Sequence, residues 1–260
     1  MNRVLSQVRP SLSINGGISI PSGEMSGELV MISDSGLTFI NSDFIKNNYA
    51  VSTGVTISGS LKVPIDKKGF IKGVFNGAYS YFNAFTSSVL GSTTENGLIV
   101  PVRYDNRFST TSFGLGVELT PAVRSKIKPF VNSEFTFNIL SLSLLKNDMA
   151  TAVFDDAFRM GINTGAGVSV LLGNEYSLEI GGNYHMSNIF LKSESESYNE
   201  RVGFGRESIP INDEEGSFYS NLSDPESVPV LVNGIRKNAN WWNISLGINI
   251  LLGISNKTSR

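Results

Sequence analysis

The sequence predicts an all-β protein, an eight-stranded antiparallel up-and-down barrel that crosses a membrane with its strands. Three observations predict it. Apolar and polar residues alternate with period two in eight separate segments, while helical periodicity is nearly absent. The links between these segments are alternately long and short. Finally, 17% of the residues are charged, against about 25% in ordinary soluble domains, and Ser, Asn and Gly make up the difference.

The segments run in order as follows. The first sets Leu12, Ile14, Ile18 and Ile20 against Ser11, Ser13, Asn15, Gly17 and Ser19. The second sets Val51, Thr53, Val55, Ile57, Leu61 and Val63 against Ser52, Gly54, Thr56, Ser58, Ser60 and Lys62. The third, less clean, sets Ile71, Phe75, Tyr79 and Tyr81 against Lys72, Val74, Asn76, Ala78 and Ser80. The fourth opposes Phe113, Leu115, Val117 and Leu119 to Ser112, Gly114, Gly116 and Glu118. The fifth opposes Ile127, Val131, Phe135, Phe137 and Ile139 to Lys128, Asn132, Glu134, Thr136 and Asn138. In the sixth, Met160, Ile162, Ala166, Val168, Val170 and Leu172 face away from Arg159, Asn163, Gly165, Gly167 and Ser169. In the seventh, Tyr176, Leu178, Ile180, Tyr184 and Met186 face away from Ser177, Glu179, Gly181, Asn183, His185 and Ser187. The eighth sets Trp242, Ile244, Leu246, Ile248 and Ile250 against Asn243, Ser245, Gly247 and Asn249. Each segment can run about 10 to 14 residues, roughly twice the usual strand of 5 to 6. A tilted membrane strand needs about 9 to 11.

Short links occur at Asp66-Lys67-Lys68-Gly69, around Pro121 to Ser125, and at Gly173-Asn174-Glu175. The long ones cover about 21–50, 84–108, 141–157 and 190–240. In an up-and-down barrel successive links fall on alternate rims, so the short turns share one rim and the long loops the other. Outer-membrane barrels have this asymmetry, with short periplasmic turns and long extracellular loops. The expectation is a single domain over 1–260, with the barrel at about 10–253.

A two-sheet sandwich would also give each strand one polar and one apolar face. The barrel is favoured because the polar face is made of small residues with few charges, as a narrow interior requires. The apolar aromatics Tyr79, Tyr81, Phe113, Phe137, Tyr184 and Trp242 also fall toward the long-loop ends, as in an interfacial girdle. Tyr176 lies at the other end. Eight strands leave an interior just filled by side chains. The inward charges are then Lys62, Lys72, Arg159, Glu118, Glu134 and Glu179, three of each sign. Unpaired charge is costly in such a lumen, so a structural plug is expected rather than an ion path, with Arg159 or a Lys bridging carboxylates such as Glu118 and Glu134. Gly114-x-Gly116 and Gly165-x-Gly167 lie inside strands, which removes a phosphate-loop reading and suits close packing across the lumen.

Composition excludes other classes. There is no Cys and one His, so thiol catalysis, disulfides and a multi-His metal site within one chain are out. No metal and no cofactor is expected. A net charge of -2 lacks the footprint of a nucleic-acid binder, so no nucleic-acid partner is expected either. No run approaches the roughly 18 apolar residues of a membrane helix. Met1 to Val8 lacks the apolar core of a signal peptide, so a processed chain with an added Met1 is expected.

Several stretches carry a resemblance: Gly114-Leu115-Gly116-Val117-Glu118, Lys128-Pro129-Phe130-Val131, the glycine-rich run 161–168, Gly181-Gly182-Asn183-Tyr184-His185, and 245–252. Over about 10–255 the chain resembles the small outer-membrane β-barrels of the OmpA, OmpX and OmpW kind, including those abundant in Bacteroidetes. The resemblance implies the outer membrane of a Gram-negative bacterium, with outer-membrane lipid and lipopolysaccharide as neighbours. Gly253 to Arg260 departs from the terminal aromatic common in that group and is expected to be a short periplasmic extension.

His185-Met186-Ser187-Asn188 resembles the His-x-Ser-Asn motif of the outer-membrane lipid A 3-O-deacylases. The resemblance would make His185 the base and Ser187 the nucleophile, with Glu194, Glu196 or Glu200 orienting the His. Parity argues against it, because His185 and Ser187 share a face with Gly181, Asn183 and Glu179, the presumed lumen. The primary expectation is therefore a non-enzymatic surface protein working through its extracellular loops. A lipid A acyl-ester hydrolase and a narrow small-solute channel are the alternatives.

Two loops invite a surface partner, 21–50 and 190–240. The latter carries the acidic run Asp213-Glu214-Glu215-Gly216, which is read as solvated surface, and the apolar run 228–232. In the former, Glu28 to Ser33 and Leu37 to Ile40 flank Asp34-Ser35-Gly36 and read as a hairpin above the membrane, too short to make a ten-stranded barrel.

Overall fold

The computed structural model describes residues 9–23, 52–82, 98–121, 125–146, 156–173, 175–192 and 238–253, with backbone alone at 99–106, 142 and 144–146. It also describes the backbone of short strands at 29–32, 38–41, 89–95, 149–155, 209–210, 216–219 and 231–234. The eight barrel strands are β1 (Ser11–Ser22), β2 (Gly54–Pro64), β3 (Ile71–Tyr81) and β4 (Leu98–Leu119), then β5 (Ile127–Lys146), β6 (Ala157–Leu171), β7 (Tyr176–Phe190) and β8 (Asn240–Leu251). Each pairs antiparallel with the next, and β8 pairs with β1 to close the ring. Closure leaves no backbone edge in lipid, where an unpaired N–H or C=O finds no water.

Polarity is inverted relative to a soluble protein. Ile14, Ile57, Phe75, Leu115, Val131, Ile180 and Ile244 stand exposed on the outside. Ser13, Ser60, Ser112, Thr136, Asn163, Ser177 and Asn249 are buried inside. A one-residue slip in any strand would exchange these faces, so the alternation itself fixes the register.

The short turns close one rim. Between β2 and β3, Asp66 Oδ1 accepts from the Ile71 N–H at 2.7 Å and Oδ2 from the Lys68 N–H at 3.0 Å. Gly69, at φ 66°, adopts the left-handed conformation that the turn needs and donates its N–H to the Asp66 carbonyl. The Ile71 N–H first, then those of Lys68 and Phe70, hold the Asp66 carboxyl below its ordinary value of 3.8.

At the opposite rim the structure extends further than the sequence predicts. The segments 84–108 and 141–157, expected as loops, contain the outer ends of β4 and β5, paired as far as Tyr104 with Lys146. Val89–Glu95 adds to β4, and Met149–Asp155 to β5. The prediction stopped these strands at the length a bilayer needs, whereas the backbone ladder continues beyond it. The hairpin expected in the first loop is present, with Leu29 opposite Asn41 and Ile32 opposite Thr38. It belongs to a separate four-stranded sheet with Leu231–Gly234 and Gly216–Tyr219, so the barrel has eight strands and not ten. Met1 to Val8, Glu194, Glu196, Glu200, Asp213 to Glu215, 228–230 and 254–260 lie outside the described residues.

Candidate functional site

The inward faces of the strands fill the lumen in layers. Toward the short-turn rim, Lys72 on β3 pairs in register with Glu118 on β4, and its Nζ lies 2.8 Å from Glu118 Oε1. Glu118 Oε2 is 2.7 Å from Lys62 Nζ, which reaches across to Glu179 on β7 at 2.8 Å. The Thr120 hydroxyl donates to Glu118, and the Ser13 hydroxyl to Glu179. The Phe130 ring lies 5.0 Å from Lys62 Nζ. Glu118, Lys62 and Glu179 are all buried, so each charge depends on its partners.

The bridge between carboxylates is therefore made by Lys62, and it links Glu118 to Glu179 rather than to Glu134. Arg159 lies at the far end of β6 and donates to the Phe158 carbonyl at 2.8 Å. Glu134 sits in the next layer and accepts from three amides, Asn76 at 3.0 Å, Asn132 at 3.1 Å and Asn163 at 3.3 Å. Spacing along the chain shows which residues face inward. Which of them meet across the lumen is set by the stagger between strands.

Above these layers come His185, Ser187, Asn138 and Asn243, all buried. The Asn243 amide nitrogen lies 2.9 Å from His185 Nε2, and the imidazole stacks on the Trp241 indole at 5.0 Å and 6°. The Ser187 hydroxyl donates to the Ala239 carbonyl at 2.8 Å. His185 and Ser187 thus face the lumen, each with a different partner, and no hydrogen bond joins them among the described residues. A base and nucleophile acting on membrane lipid would need the opposite face and a shared proton.

The last layer is apolar. Trp241 and Phe82 are fully buried, with Phe108, Leu140 and Ala157 nearly so. Phe82 meets Trp241 edge-on at 5.5 Å and Phe108 at 5.5 Å. The sequence reading missed this layer, yet parity contains it: Trp242 outward puts Trp241 inward, and Ser80 inward puts Phe82 inward. Below it, among the described residues, the lumen keeps small cavities with polar side chains in their walls. One, of about 60 Å³, lies among Asn15, Asn76, Asn132, Glu134 and Asn183, and one of about 30 Å³ lies among Lys72, Lys128 and Asn249. Neither is lined by the aromatic layer.

The expected girdle residues all face outward. Tyr79, Phe113 and Trp242 are exposed, while Tyr81, Phe137 and Tyr184 are half-buried. Tyr184 lies against Trp242 at 4.7 Å, and Phe137 stacks on Phe158 at 6.3 Å. Phe113 pairs with Phe137 and with Gly77, near the middle of β3. These two therefore lie well below the ends of β4 and β5, because both strands run on past their predicted limits. Phe135, Phe158 and Phe190 extend the outer cluster and were not singled out from sequence.

A closed eight-stranded barrel with an apolar exterior and a filled polar interior has the architecture of a transmembrane up-and-down barrel. No family profile and no curated protein matches the chain. Among solved structures it is similar to Neisserial surface protein A, with 12% identity, TM-score 0.45, and coverage of 94% of this chain and 97% of that one. It is also similar to a major outer membrane protein from Thermus thermophilus, with 10% identity, TM-score 0.45, and coverage of 94% and 99%. For the outer membrane protein OprG from Pseudomonas aeruginosa the values are 8%, 0.44, and 94% and 97%.

Proposed function

We propose that this chain is a non-enzymatic barrel of a Gram-negative outer membrane that serves as a structural and interaction protein of the cell surface. Its apolar exterior sits among outer-membrane lipid and lipopolysaccharide. The loops 21–50 and 190–240 present a surface to a partner protein. The observation that carries this reading is the filled lumen: among the described residues, an aromatic layer over a Lys–Glu network leaves cavities with room for only a few waters. The His185–Ser187 arrangement likewise supports no hydrolase. What remains distinctive is the long-loop rim, where short strands build a second sheet beyond the barrel.

Two measurements test it. In planar bilayers the folded protein should show no stable open level, and a steady monomer conductance would replace this reading with the small-solute channel. Photo-crosslinkers placed in 21–50 and 190–240 on whole cells should trap a surface protein, and replacing 193–237 by a short turn should abolish trapping while the barrel still folds. Unchanged trapping through 21–50 by the shortened variant would remove 190–240 from the function.

A further inference from the structure

We propose that the lumen holds an alkali-metal cation in the cavity lined by Asn132, Glu134 and Asn183, bound by the two amide oxygens and balanced by Glu134. Glu134 is buried, with 4% of its surface exposed. Glu118 and Glu179 have lysine partners, whereas Glu134 has no ion-pair partner among the described residues and is held by three neutral amides. Neutral donors orient a buried carboxylate without neutralising it. Lys62 lines the same cavity but is already shared between Glu118 and Glu179.

The amides supply the second observation. Asn132 and Asn163 each turn a nitrogen to Glu134, which fixes their oxygens on the other side. The Oδ1 atoms of Asn132, Asn163 and Asn183 are buried and receive no hydrogen bond. Asn163 itself is 1% exposed. Buried polar atoms are normally satisfied, so several orphaned oxygens around one carboxylate point to a missing positive partner.

The strand register brings two of these oxygens together. Gly165 on β6 is opposite Asn132 on β5 and opposite Asn183 on β7. A Cβ built on Gly165 would stand 2.7 Å from Asn132 Oδ1 and closer still to Asn183 Oδ1. The Asn183 amide therefore fills the space over the bare glycine, with its Oδ1 beside that of Asn132, so two negative dipole ends converge there. Asn132, Asn183 and Glu134 line the cavity of about 60 Å³, where Asn15, Ser58 and Ser60 add further oxygens. One carboxylate with neutral oxygens suits a singly charged ion. A divalent ion of the calcium type draws more carboxylates, and no cluster of His, Cys, Asp and Glu suited to a metal occurs among the described residues.

The probes are rubidium and sodium ions. Crystals of the folded barrel soaked in rubidium chloride should give an anomalous peak bonded to the Asn132 and Asn183 oxygens. Urea unfolding in detergent should show a midpoint that rises with sodium and saturates, when choline chloride keeps ionic strength constant. Glu134→Gln, which keeps the shape, should lose that dependence, as should Gly165→Ala, whose methyl group displaces the Asn183 amide from its place over the glycine. Asn183→Ala serves if Gly165→Ala fails to fold. No rubidium peak, with equal stability in sodium and choline, would overturn the proposal. It would mean that the Asn183 amide turns over to donate to Asn132, or that water alone fills the cavity.

Discussion

Toward the short turns, the lumen is held by Lys72, Glu118, Lys62 and Glu179 in one connected chain of charge. Toward the long loops it is held by Phe82, Phe108, Leu140 and Trp241, with no charge among them. The two layers solve different problems. The charged chain ties β2, β3, β4 and β7 together across the barrel and is intolerant of losing one member, because a partner left behind is a buried charge. The apolar layer carries no charge to strand, although the Trp241 indole N–H is buried there without a hydrogen-bond partner among the described residues, and it must be well filled.

Breaking the charged layer should have the largest effect. Lys62→Met leaves Glu118 and Glu179 without the cation they share, at a cost of about 3–5 kcal/mol, measured by urea unfolding of the barrel in detergent. Breaking the apolar layer comes next. Trp241→Ala should cost about 3 kcal/mol, the low end for such truncations because water can enter the space. It should also produce ion leak in planar bilayers where the parent protein shows none. If Trp241→Ala stays closed, the seal lies elsewhere.

Gly167→Ala probes the packing that supports the charged layer. Its Cβ would meet the Ile180 carbonyl oxygen on β7 first and lie 2.5 Å from Phe130 Cζ, so both the β7 backbone and the ring beneath Lys62 must move. A loss of about 1–3 kcal/mol is expected. Ser187→Ala, between the two layers, removes a single hydrogen bond to Ala239 and should cost about 1 kcal/mol. Mass spectrometry of lipid A should find identical acylation with either form. A Ser187-dependent loss of an acyl chain would reinstate the hydrolase.

The smallest effect belongs to the rim itself. The folded state depresses the Asp66 carboxyl, so its contribution is present above the ordinary carboxylate range and fades as pH falls through the lower folded value. The stability gap between the parent and Asp66→Ala should be constant near neutral pH and close in acid below pH 3.8. A gap that persisted or widened there would show that the turn does not depend on the ionised side chain.

The division between the layers also explains what could be read from the sequence. Parity alone places Glu118, Lys62, His185 and Ser187 inside and Phe113, Tyr184 and Trp242 outside, because the side-chain period of a strand is two. The partner of Lys62 is another matter. Glu179 lies on β7, separated from β2 by β8 and β1, and the contact depends on strand tilt and stagger that no spacing encodes. The Asn132–Gly165–Asn183 row was hidden for the same reason, since each member looked like ordinary small polar filling. Trp241 and Phe82 were readable by parity, but an expectation of uniformly polar filling drew attention away from inward aromatics.

The seam between β1 and β8 has a consequence in time rather than in stability. Ser13 and Asn249, joined there by a side-chain hydrogen bond, lie 236 positions apart in the chain. Contacts at such separation form late, because the intervening chain must first be ordered. Until they form, β1 and β8 each present an open edge able to pair with another chain. The order of assembly, with hairpins first and the seam last, makes this junction the place where a folding barrel is most exposed to a wrong partner and most in need of a right one.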